Sequence, residues 1–70
     1  MDSLYIVIEL QRNGESMANI VTSHNTLPDA EYKFHIVAAS AAISNVQRHT
    51  VLLVDDEGFE IEKVVFEHNE

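Results

Sequence analysis

The chain's chemically capable residues begin with its histidines: His24, His35, His49 and His68 in 70 residues. Imidazole nitrogens bind zinc or copper and exchange protons near neutral pH, so a histidine cluster would point to metal or proton chemistry. No two of the four have the His-x-x-x-His spacing that places paired ligands on one helical face. In a hairpin formed by the last two strands, however, the start of one lies beside the end of the next, which brings His49 near His68. Glu31 and His35, four residues apart, share a helix face. His35, His49 and His68 are therefore the candidate ligand or metal residues, with ordinary surface histidines as the plainer account.

The carboxylates form the second group. Asp55-Asp56-Glu57 places three acids together, but it lacks the alternating spacing and distal bidentate Glu of a calcium loop, so it is expected to be a solvated turn. Residues 55–70 hold seven acids and one Lys, so six of the eight net negative charges fall in the last sixteen residues. Glu60 and Glu62 alternate on one side of the last strand, as a carboxylate row. Asp55, Asp56, Glu57, Glu60 and Glu62 make the candidate protein-binding face, suited to a partner with a basic surface. The competing role for the same charges is to keep an edge strand soluble. The serines carry no elbow glycines and no glycine-rich phosphate loop is present, so neither catalytic residues nor a cofactor are expected.

These groups must be positioned by a short series of elements. Leu4, Ile6, Ile8 and Leu10 recur at every second position, the period of a strand. Asn13-Gly14 can reverse the chain into an antiparallel partner. Thr26-Leu27-Pro28-Asp29 reads as a helix start, with Thr26 as cap and Asp29 as the capping-box acid. The helix that follows carries two apolar stripes, Ala30/Phe34/Val37/Ala38/Ala41 and Tyr32/Ile36/Ala39/Ile43, the pattern of a helix covered on more than one side. Val51 to Val54 is apolar without alternation, as in a central strand. Residues 59–62 and 64–66 alternate in opposite phases, which predicts a β-bulge near Lys63 and Val64. The expected fold is α+β, ββαββ, in a single domain over 1–70: strands at about 4–11, 17–24, 49–55 and 59–67, a helix at about 27–45, and a four-stranded antiparallel sheet with the helix on one face.

Composition limits what such a domain does. No cysteine is present and only four Lys/Arg stand against twelve acids, for a net charge of −8. Disulfides and thiolate metal sites are excluded, and direct binding to nucleic acid or to an anionic membrane is disfavoured. The N-terminal residues carry no basic n-region and no apolar run approaches the ~20 residues of a membrane span, so a cytoplasmic protein is expected. With 46 % hydrophobic residues, one helix on one sheet leaves apolar surface over. Tyr5, Val7, Val21 and Leu53 are expected on the uncovered sheet face, and Ile36 and Ile43 on the spare helix side, as the interface of a homodimer.

Tyr5-Ile6-Val7-Ile8-Glu9-Leu10-Gln11, Ala30-Glu31-Tyr32-Lys33-Phe34-His35, Ala38-Ala39-Ser40-Ala41-Ala42-Ile43-Ser44, then His49-Thr50 and His68, resemble a family of small uncharacterised proteins encoded by phages and prophages of Firmicutes. The likeness spans most of the chain and brings no site residues with it. It implies a setting in which small acidic proteins bind and modulate host machinery. The resulting expectation is a non-enzymatic dimeric protein-interaction module. Its alternatives are a small-ligand or metal binder with a histidine-lined site at a dimer interface, and a structural phage component.

Overall fold

A computed structural model describes residues 4–68. The order is β1 (Tyr5–Asn13), β2 (Ser16–His24), α1 (Leu27–Ile43), β3 (Arg48–Asp55) and β4 (Glu60–Glu67). The strands form one antiparallel sheet in the order β2-β1-β3-β4, with α1 on one face, as the ββαββ reading requires. Among the described residues, no helix is long and apolar enough to cross a membrane.

Local chemistry explains each boundary. β1 and β2 are joined by the two-residue loop Gly14-Glu15, closed by the pair Asn13↔Ser16. Gly14 takes φ 68° at the first loop position, where a side chain is strained, while Asn13 stays in the strand. Thr26 caps α1 by accepting a hydrogen bond from Asp29 N at 3.3 Å, and Pro28 lies in the first turn, where no amide donor is needed. The helix stops at Ile43 because Ser44 is extended. At the β3–β4 turn, Asp55 Oδ1 accepts from both Glu57 N and Phe59 N at 2.9 Å, and Gly58 supplies φ 89°. The acidic run is thus a turn, with one of its carboxylates committed to holding the backbone.

The core is small. Val7, Val51 and Leu53 from the sheet meet Ala30, Phe34 and Ala41 from α1, with Tyr5, Leu27, Val37, Val64 and Phe66 around them. Two of those six buried residues are alanines, so the helix lies close to the sheet.

This arrangement corrects the expected phase of the sheet. Val7 and Leu53 are 2 % and 0 % exposed beneath α1, and Tyr5 packs against the same core, so none of the three lies on the open face. The uncovered face is the other phase: Ile6, Ile8 and Leu10 from β1, Leu52 and Val54 from β3, and Val21 from β2. The reason lies in the cations that share this face. Arg12, Arg48 and Lys63 are in register with that aliphatic phase, and setting the helix over it would take three cations out of water. The covered phase has Glu9 as its buried acid, and Glu9 finds a partner there.

The bulge is also displaced. Leu53 pairs with Glu62 and Val54 with Glu60, so the ladder skips Ile61 instead of breaking near Lys63 and Val64. Leu53 and Val54 point to opposite faces, and so do their partners. Glu62 stands on the helix side and Glu60 on the open side, which breaks up the expected carboxylate row.

Candidate functional site

Two features are capable of function: a polar group buried under the helix and the uncovered face of the sheet. The first is built where β1 and β3 pair. Gln11 lies opposite His49, and Glu9, one step along the same face, opposite Val51. His49 Nδ1 donates to Glu9 Oε2 at 2.7 Å, and Gln11 Nε2 donates to Glu9 Oε1 at 3.1 Å. Both Glu9 oxygens are therefore occupied as acceptors, and Glu9 and His49 are both buried. A buried carboxylate is strongly unfavourable without such partners, so the pair allows Glu9 to occupy a core strand.

His49 Nε2 is buried with no hydrogen-bond partner. The His68 ring stands edge-on to His49, centroids 6.1 Å apart, and His68 Nε2 donates to the carbonyl of Ala41 at 2.9 Å. That carbonyl belongs to the last turn of α1 and also accepts from Ser44 N at 3.3 Å. His68 thereby joins the C-terminal end of the described chain to the end of the helix. The expected proximity of His49 and His68 is present. His35 is exposed on α1 against Phe34, and His24 bonds Thr22 Oγ1 at 3.0 Å on the far edge strand. The histidines do not converge, and among the described residues no three His, Asp or Glu side chains are grouped to hold a metal ion.

The second feature is the open face. Its centre is aliphatic, with Ile8 between Val21 and Leu52, and Ile6 between Ser23 and Val54. At one end, Arg12 stands directly opposite Arg48, and Glu67 follows at 3.6 Å from Arg48 Nε. Arg12 Nε donates to the Gly14 carbonyl, and Gln47 Oε1 accepts from Gly14 N at 2.9 Å. These residues border a cleft of about 330 Å³. Three of the chain's four Lys/Arg therefore belong to this face, in a protein whose net charge is −8.

The expected acidic face is dispersed. Asp56, Glu57 and Glu60 are exposed around the β3–β4 turn at the end of the sheet opposite the arginines, Asp55 is half-buried in the turn, and Glu62 is half-buried on the helix side. Val21 is 58 % and Ile43 88 % exposed, and Ile36 is exposed as well, so these three proposed interface residues remain accessible.

The Glu9–His49 pair has only a faint signature in the sequence. Its signal is a lone acid inside the aliphatic run of β1, which demands a partner that spacing alone does not name. Compared with known protein families, curated proteins and solved structures, the chain matches none.

Proposed function

We propose that this chain is a non-enzymatic protein-interaction module that works as a homodimer, two copies covering each other's open sheet face. The supporting observation is that face itself: an aliphatic surface across four strands that nothing in the fold covers. The accessible surface of the whole chain is 4906 Å², against roughly 4,400 Å² for a compact monomer of this mass. From strand spacing and rise, the face measures about 19 by 26 Å, so two copies pair about 1,000 Å², the lower bound of a specific interface. Charge favours one arrangement. A two-fold axis across the strands sets the Arg12/Arg48 end of each copy over the acidic β3–β4 turn of the other.

The open face carries Arg12, Arg48 and Lys63 against Glu60 and Glu67, a net of +1, so the rest of the chain holds −9 of the total −8. Covering the face leaves the acidic surface outward, suited to a partner with a basic surface, in keeping with the phage or mobile-element setting that the sequence resemblance implies. Size-exclusion chromatography with light scattering tests the reading. Two copies per particle are expected at micromolar concentration, and Leu52→Lys, which places a charge at the centre of the face, is expected to give a folded single copy. A wild-type particle of one copy throughout that range overturns the reading.

A further inference from the structure

The sheet has two edges, and they are built differently. β4 carries Glu60, Glu62, Lys63 and Glu67 within eight residues and breaks its ladder at Ile61. Charges and bulges of this kind prevent another strand from adding to an edge. β2 has neither. Ser16–His24 contains no charged residue and no proline, and it keeps unbroken register with β1 over nine pairs. The helix packs chiefly over β1 and β3, and Ile20 on the helix side is 51 % exposed.

We propose that β2 is a self-pairing edge, on which β2 of a second copy adds antiparallel about a two-fold axis at Ile20, extending the sheet from four strands to eight. The backbone is prepared for this. The two-residue loop closes on Asn13↔Ser16, a pair that exchanges both hydrogen bonds in hairpins of this length, so every second residue from Ser16 bonds inward to β1. Met17, Asn19, Val21 and Ser23 then turn N–H and C=O outward. With the axis at Ile20, Asn19 meets Val21 and Met17 meets Ser23 of the other copy, giving about eight interchain N–H···O bonds. Ile20 faces its own counterpart in a non-hydrogen-bonded pair, where side chains stand closest.

A second copy is the favoured occupant on charge grounds. In a chain of net charge −8, β2 is a nine-residue border along which two backbones can meet without opposed carboxylates. The pairing also tolerates its own sequence, since every cross-strand partner in this register is small, aliphatic or uncharged. The inference does not require the open-face dimer, because edge and face are separate surfaces, and both can be used in one assembly.

Amide hydrogen exchange followed by NMR, run beside light scattering over a dilution series, tests the edge. Protection of Met17, Asn19, Val21 and Ser23 amides is expected to rise with concentration, by roughly tenfold or more. Asn19→Pro removes one outward N–H, leaves the β1 ladder intact and does not touch the aliphatic centre of the open face. It is expected to abolish that protection. Should Asn19→Pro fail to fold, Ile20→Lys sets like charges opposite each other at the axis, from the helix side. Fast exchange at the four amides in a sample whose mass shows two copies overturns the edge while sparing the face. A wild-type particle of two copies whose mass and protection both persist in Leu52→Lys supports the edge and removes the face, whereas a larger wild-type particle that falls to two protected copies in Leu52→Lys supports both. Fast exchange with one copy at every concentration overturns both.

Discussion

At the residue scale, the Glu9–His49 contact is decided by desolvation more than by attraction. Glu9 Oε2 and His49 Nδ1 are 2.7 Å apart in a site that excludes water, so each side chain is tolerable only because the other is present. Glu9→Ala strands a buried imidazole, and His49→Ala strands a buried carboxylate. Either single substitution is expected to destabilise the fold by about 3 kcal/mol. Replacing both with apolar residues of matching volume, Glu9→Leu with His49→Phe, is expected to recover most of that loss. Urea titrations of the two singles and the double measure it, and a double variant as unstable as the sum of the singles would show that the two side chains are not coupled and overturn this account. This contact spans 40 residues, which explains why it escaped a reading of the sequence. Nothing local to Glu9 distinguishes a carboxylate that will be paired from one that faces water.

At the element scale, local signals sufficed. The Thr26 cap with Pro28 placed the helix start, Gly14 and Gly58 placed the turns, and strand alternation gave β1 nearly to its ends. Those features depend on a few adjacent residues and on backbone sterics. The phase of the sheet does not. Ile6, Ile8 and Leu10 look like the buried side of β1 when β1 is considered alone, and only the register with Arg48 and Lys63 shows that this face must stay wet at its margins. The Glu60/Glu62 row failed for the same reason, because one skipped residue on β4 reverses everything before it. Turn chemistry can be tested directly. Gly58→Ala forces a Cβ onto φ 89° where no neighbouring atom lies within 4 Å, so the expected loss, about 1–2 kcal/mol, comes from backbone strain alone. Thermal melts compare it with Asp56→Ala in the same turn, where little change is expected.

At the scale of the whole molecule, one small core supports a thin two-layer body measuring 46 × 20 × 15 Å. Exposed hydrophobic side chains lie on the open sheet face, along β2 and on the outer stripe of α1 at Tyr32, Ile36 and Ile43. Association has to work against the repulsion of two chains at −8 each. Exposed ion pairs such as Arg48–Glu67 contribute little, so screening the net repulsion outweighs weakening the pairs. Raising the salt from about 0.05 to 0.5 M is expected to tighten self-association severalfold. Sedimentation equilibrium measures it, and an association that weakens with salt would mean that interchain ion pairs dominate.

The central seam also sets the tempo of folding. β1 with β2 and β3 with β4 are hairpins closed by short turns, local events that occur in microseconds. The seam between β1 and β3 joins residues from 36 apart, at Arg12↔Arg48, to 50 apart, at Tyr5↔Asp55. All of α1 lies within that loop. Loop-closure entropy must be met before any seam contact forms, so the slow step is the docking of two preformed halves along one line. Val7 and Leu53 face each other across it, and the buried Glu9–His49 hydrogen bond bridges it. The same short row of residues that excludes water beneath the helix is therefore where the chain commits to its native topology.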